Sequence, residues 1–150
     1  MRAALAALVL AASAVLPVRA DPPPPAEGSI RVASFNAALA RKGAGVLIVD
    51  IDKRAPQVLA VAEIILRVRP DILLINELDH DPEGRAATDF AALLAEGVAD
   101  LPGLDYPHVF TAPVNTGVPS GLDLDGDGRT AGAGDALGFG RFPGQFGMVI

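Results

Sequence analysis

The stretch Arg69-Pro70-Asp71-Ile72-Leu73-Leu74-Ile75-Asn76-Glu77-Leu78-Asp79-His80 runs four apolar residues straight into an amide and a carboxylate. Arg69-Pro70 stops whatever helix precedes it, because the residue before a proline is pushed away from helical geometry. Residues 71–76 then read as a strand apolar on both faces, the pattern of a parallel strand covered by helices. Upstream, Pro56 suits a first helical turn, and Val58, Leu59, Ala62, Ile65 and Leu66 make one apolar face, so the pattern predicts a helix over 56–68. Further upstream, residues 30–36, IRVASFN, alternate and are β-branched, as strands are. Strand, helix and strand in that order describe a crossover that sets the two strands parallel. Ligands collect at the carboxyl ends of such strands, and here both strands end on oxygen-bearing side chains, Asn36 and Glu77. From spacing alone two readings stand. The pair suits a hard cation such as magnesium, which takes oxygen ligands and only one or two carboxylates. Alternatively Glu77 starts an exposed turn and Asn36 caps it.

The remaining segments are less sharply marked. Residues 46–51, VLIVDI, fit a strand or a short helix, which periodicity does not separate. Residues 79–84 form a turn, and Thr88 or Asp89 is expected to cap a second helix through about Val98, with Phe90, Leu93 and Leu94 inward. Another strand is expected over 107–112, a long loop rich in glycine and aspartate over 113–145, and a new apolar strand from Phe146. A chain ending inside an apolar strand would leave an unpaired edge, so residues 30–150 are read as the N-terminal portion of a longer domain.

The first twenty residues, MRAALAALVLAASAVLPVRA, combine a basic Arg2, an apolar stretch from Ala3 to Leu16 and small residues around Ala20. That run is too short to span a bilayer and fits a cleaved signal peptide, with export to the periplasm or outside the cell. Residues 21–29, DPPPPAEGS, are a stiff proline-rich spacer. No later segment reads as membrane-inserted, and no protein partner is expected. Half of the 150 residues are apolar, enough for a core, and the absence of cysteine excludes disulfides, thiol catalysis and thiolate-held metals. The net charge of −6 becomes −8 once Arg2 and Arg19 leave with the signal peptide. Such a chain gains no general affinity for nucleic acid, and a phosphate substrate would need cations to mask its carboxylates.

A second pointed segment is GLDLDGDGR, 121–129, in which Asp123, Asp125 and Asp127 alternate as in the first half of a calcium loop. Counting Asp123 as position one, the twelfth position is Gly134, where a closing glutamate belongs, and Asp135 lies one step beyond. The triad is read as a Ca2+ site against the plainer alternative of an acidic surface loop built on aspartate turns.

The order of VASFNAAL (32–39), PDILLINEL (70–78) and GQFGMVI (144–150) resembles the endonuclease/exonuclease/phosphatase superfamily, which includes DNase I-like, exonuclease III-like, sphingomyelinase-like and inositol-phosphatase enzymes. The resemblance covers most of 30–150 and implies an α/β fold, the N-terminal part of a four-layer αββα sandwich (DNase I-like). It also implies hydrolysis of a phosphoester in nucleic acid, phospholipid or sugar phosphate, with Glu77 as the principal ligand of Mg2+ or Mn2+ and Asn36 helping to hold the metal or the substrate phosphate. Asn76 replaces the glutamine common before the glutamate. The family's Asp-x-Asn and Asp-His motifs have no counterpart, so the general base is expected after Ile150 and residues 21–150 alone are expected to be inactive. His80 and His108 do not sit where the family keeps its catalytic histidine and are read as structural or surface residues. The competing function is a non-enzymatic extracellular calcium-binding module on the same fold, since fold does not fix function.

Overall fold

The computed structural model describes residues 21–150; the signal-peptide reading of 1–20 lies outside the described residues. Two strands, β1 (Val32–Leu39) and β2 (Ile72–Leu78), are parallel neighbours joined by helices α1 (Val46–Asp52) and α2 (Pro56–Val68). Helix α3 (Arg85–Glu96) follows, and β3 (Met148–Val149) adds antiparallel to β2, giving the order β1-β2-β3. The spacer 21–29 is exposed and has no regular structure.

Helix α2 occupies the predicted span. Pro56 lies in its first turn, and Arg69 closes it in the left-handed conformation at φ 49°, its N–H donating to the Ile65 carbonyl before Pro70 breaks the pattern. Its buried stripe is Val58, Val61, Ala62, Ile65 and Leu66. That stripe meets Ala37, Leu39, Leu73, Ile75 and Leu78 of the sheet in one core, with Leu47 and Ile51 of α1 and Phe90, Leu93 and Leu94 of α3. Leu66 is 1 % exposed; its truncation to alanine costs about 2–5 kcal/mol.

The open choice at 46–51 resolves as helix. Asp52 completes α1, and Leu47 and Ile51, four residues apart, share its buried side. Helix α3 has its cap position at Gly84 and begins at Arg85, ahead of the expected caps Thr88 and Asp89. Its first N–H groups are satisfied from outside the helix, Arg85 and Ala86 donating to the two carboxylate oxygens of Asp81 at 2.9 and 2.7 Å. No strand forms over 107–112. Phe110 and Ile150 exchange backbone hydrogen bonds (2.7 and 2.9 Å) and Thr111 bridges Val149, but Pro107 and Pro113 flank the segment without N–H groups to extend a ladder. Tyr106 ties it down instead, its hydroxyl donating to the Pro70 carbonyl at 2.8 Å.

Both faces of β2 were expected to be covered, yet the helices cover only one. The other face carries Val32 at 64 %, Ile72 at 41 % and Met148 at 48 % exposure. One sheet and one helix layer make this a mixed α/β, partial DNase I-like fold. Among the described residues no helix is long and apolar enough to cross a membrane.

Candidate functional site

The two strand ends meet. Asn36 and Asn76 are paired across the parallel β1–β2 register, which then slips, the next partners being Leu39 and Leu78. Two residues of β1, Ala37 and Ala38, thus face Glu77 of β2, a bulge in which Ala38 (φ 50°) and Glu77 (φ 59°) themselves take left-handed backbone. The kink decides where Glu77 goes. Leu73, Ile75 and Leu78 are buried, whereas the consecutive Asn76 and Glu77 are both only partly covered. Unbroken alternation would have sent Glu77 to the core side with Leu73 and Ile75. Left-handed backbone costs a side-chain-bearing residue about 1–2 kcal/mol, and here it places a carboxylate outside the core.

Asn36 Nδ2 donates to Glu77 Oε1 at 2.8 Å, while Asn36 Oδ1 accepts the Ala38 N–H at 3.1 Å. The backbone donor therefore fixes which end of the amide faces the carboxylate. Asn36 presents its NH2 to Glu77 and orients one oxygen, leaving Oε2 for another partner. Among the described residues no Lys, Arg or His pairs with Glu77. An oriented, uncompensated carboxylate among oxygen and amide groups fits a hard divalent cation that keeps much of its water shell. Asn76, the departure from the family pattern, donates to Ser34 Oγ at 3.3 Å on the same open face.

A buried clamp holds this end of the sheet. Asp79 is 4 % exposed and accepts N–H bonds from Arg41 at 2.7 Å and Phe146 at 3.1 Å. Burial pushes its carboxyl above the ordinary value, and those two backbone donors pull against the shift. Gln145, 5 % exposed, donates to the Arg41 carbonyl at 2.5 Å and accepts the Arg141 N–H at 2.7 Å. Arg41 also pairs with Asp50 at 2.6 Å. Sequence reasoning passed over Asp79 and Gln145; the available signal was a carboxylate directly after Leu78 and a glutamine inside an apolar, glycine-bounded segment.

The histidines stand apart from this chemistry. His80 is half-buried, its Nδ1 lying 3.2 Å from Thr111 Oγ1 and its backbone N–H donating to Gly144 at 2.8 Å. His108 is exposed. In the loop 113–145 the structure gathers a different aspartate set from the one expected. Carboxylate oxygens of Asp123, Asp125 and Asp135 lie within 4.8 Å of one another, the one such group of three acidic or histidine side chains among the described residues. Asp127, the expected third member, instead accepts the Arg129 N–H at 2.9 Å. Asp135 takes its place because irregular pairing at the loop's neck, Pro119 with Ala136 and Thr116 with Gly138, folds residue 135 back over 123–125.

Comparison with curated proteins and with solved structures returned no match. The sequence profile described as the Endonuclease/Exonuclease/phosphatase family matches residues 33–150, spanning β1, β2, the clamp and β3. With most of its length matched and its strand-end carboxylate framed as above, the chain belongs to the endonuclease/exonuclease/phosphatase family, whose members hydrolyse phosphoester bonds.

Proposed function

We propose that this chain supplies the metal-binding strand ends of a secreted, divalent-metal-dependent phosphoesterase. Glu77 binds Mg2+ or Mn2+ through the carboxylate whose other oxygen Asn36 holds. The observation that carries this reading is the 2.8 Å Asn36–Glu77 bond between adjacent parallel strands, made at a residue kept in left-handed backbone. Strain of that kind persists where the surrounding structure over-determines it, and it concentrates at functional sites. When bound, the ion supplies Lewis-acid polarisation of a phosphoryl oxygen and charge neutralisation at the leaving oxygen. Glu77 positions that charge, Asn36 orients Glu77, and the Asp79–Arg41–Gln145 clamp keeps the strand end from shifting.

The acidity of the mature chain favours a compact phosphoester over an extended nucleic-acid track, which binds through many basic contacts. The alternative of a non-enzymatic calcium module draws on the convergence of Asp123, Asp125 and Asp135, but leaves the oriented Glu77 without a purpose. Phosphodiester hydrolysis by the full-length protein separates the two. Chelation of divalent metal is expected to abolish turnover, and Glu77→Gln to lower kcat/KM by about 100-fold or more. Full activity in Glu77→Gln would refute the reading.

A further inference from the structure

We infer that Asp123, Asp125 and Asp135 form a Ca2+ site, with Asp135 as its buried anchor, that locks the loop beside the strand-end site. The inference stands on Asp135. This residue is 1 % exposed, and its Oδ1 accepts the Leu124 N–H at 2.9 Å. Its Oδ2 is fully buried and has no hydrogen-bond partner. A buried carboxylate oxygen is normally satisfied, because losing water without a replacement is costly. Here the orphan oxygen belongs to the set converging with Asp123 and Asp125 within 4.8 Å. Three carboxylates that close repel one another unless a cation sits among them.

The space is kept open by glycine. A Cβ on Gly134 would meet Asp125 Oδ2 at 2.2 Å. The other lone pairs are used to shape the loop. Asp123 accepts N–H bonds from Gly126 at 2.8 Å and Gly128 at 3.0 Å, and Asp125 Oδ1 accepts from Asp127 at 3.2 Å. Oxygen-only donors on irregular backbone suit Ca2+, which accepts six to eight oxygens in flexible geometry. Mg2+ demands a near-ideal octahedron, and ions drawn to nitrogen or sulfur find neither.

The site also has a mechanical address. The Ser120 N–H donates to the Asp135 carbonyl and Leu137 to Val118, closing the neck of the loop. From there Gly144 donates to the Thr116 carbonyl at 3.2 Å and accepts from His80 at 2.8 Å, three residues past Glu77. Calcium at Asp135 therefore stiffens the segment that braces the strand end, without contact with the reacting phosphate.

Calorimetric titration of the chelator-treated chain with CaCl2 tests this, run in the Glu77→Gln background so that the strand-end site contributes nothing. One Ca2+ per chain is expected, with Mg2+ at least tenfold weaker. Asp125→Asn and Asp135→Asn are each expected to weaken Ca2+ at least tenfold, and Asp127→Asn to stay within about twofold. Should Asp135→Asn fail to fold, Asp125→Asn, altered at an exposed position, decides alone. No calcium heat in the parent, unchanged affinity in Asp125→Asn, or a tenfold loss in Asp127→Asn overturns the proposal, as does equal affinity for Mg2+.

Discussion

At Glu77 a single backbone torsion decides which side of the sheet receives a charge. With φ at 59°, the residue sits where glycine is comfortable and glutamate is not. Glu77→Gly is therefore expected to leave the fold intact and raise its stability by about 1 kcal/mol, read by urea denaturation, while removing the carboxylate. A stability loss would mean that the side chain is structural. Asn36→Ala is expected to weaken divalent-metal binding about 10–100-fold by freeing Glu77 Oε1, as removal of a ligand's orienting partner does elsewhere. Beneath them, Asp79→Asn keeps one acceptor for two N–H donors, those of Arg41 and Phe146. Leaving one of them unpaired costs about 1–3 kcal/mol. That Asn36 and Glu77 would meet was legible, because a polar side chain ending an apolar strand is a local anomaly. Which end of the Asn36 amide faces Glu77 was not legible, since the Ala38 N–H decides it and that contact depends on the bulge.

Among the elements, legibility followed punctuation. Helix α2 was readable to the residue because Pro56 opens it and Arg69-Pro70 closes it. Helix α1 was ambiguous because seven mostly apolar residues fit either period until the core chooses. The expected cap of α3, Thr88 or Asp89, lies four or five residues past the real one, because Gly84 occupies the cap position and offers no side chain while Asp81, three residues earlier, reaches forward. Asp81→Ala should destabilise the protein by about 0.5–2 kcal/mol, read from the thermal or urea midpoint. Its pH dependence has a definite sign. Burial raises the Asp81 carboxyl, but the Ala86 and Arg85 N–H groups outweigh it and leave the group below its ordinary 3.8. The unfolded chain then binds the proton more readily, so the stabilisation is present above pH 3.8 and is lost as pH falls through the lower folded value. The stability gap between wild type and Asp81→Ala should therefore close in acid; a gap that widens there would contradict the assignment.

For the molecule as a whole, the parallel crossover could be read from element order, whereas the organisation of 113–145 could not. That segment has no periodicity; it is held by scattered bridges, buried Gln145 and Asp135, and glycines that admit neighbouring backbone. Gly144 shows the point: at φ 93° its Cβ would meet the His80 carbonyl at 2.3 Å. Gly144→Ala should cost more than about 1 kcal/mol and loosen the link between the loop and the strand carrying Glu77. The account rests on that strand end gripping a divalent ion, and Mn2+ binding followed by electron paramagnetic resonance tests it most directly. Asp125→Asn is used as the parent, to silence the loop site. One bound Mn2+ per chain is predicted in that parent, and its loss when Glu77→Gln is added; equal Mn2+ binding with and without the Glu77 carboxylate would contradict the account.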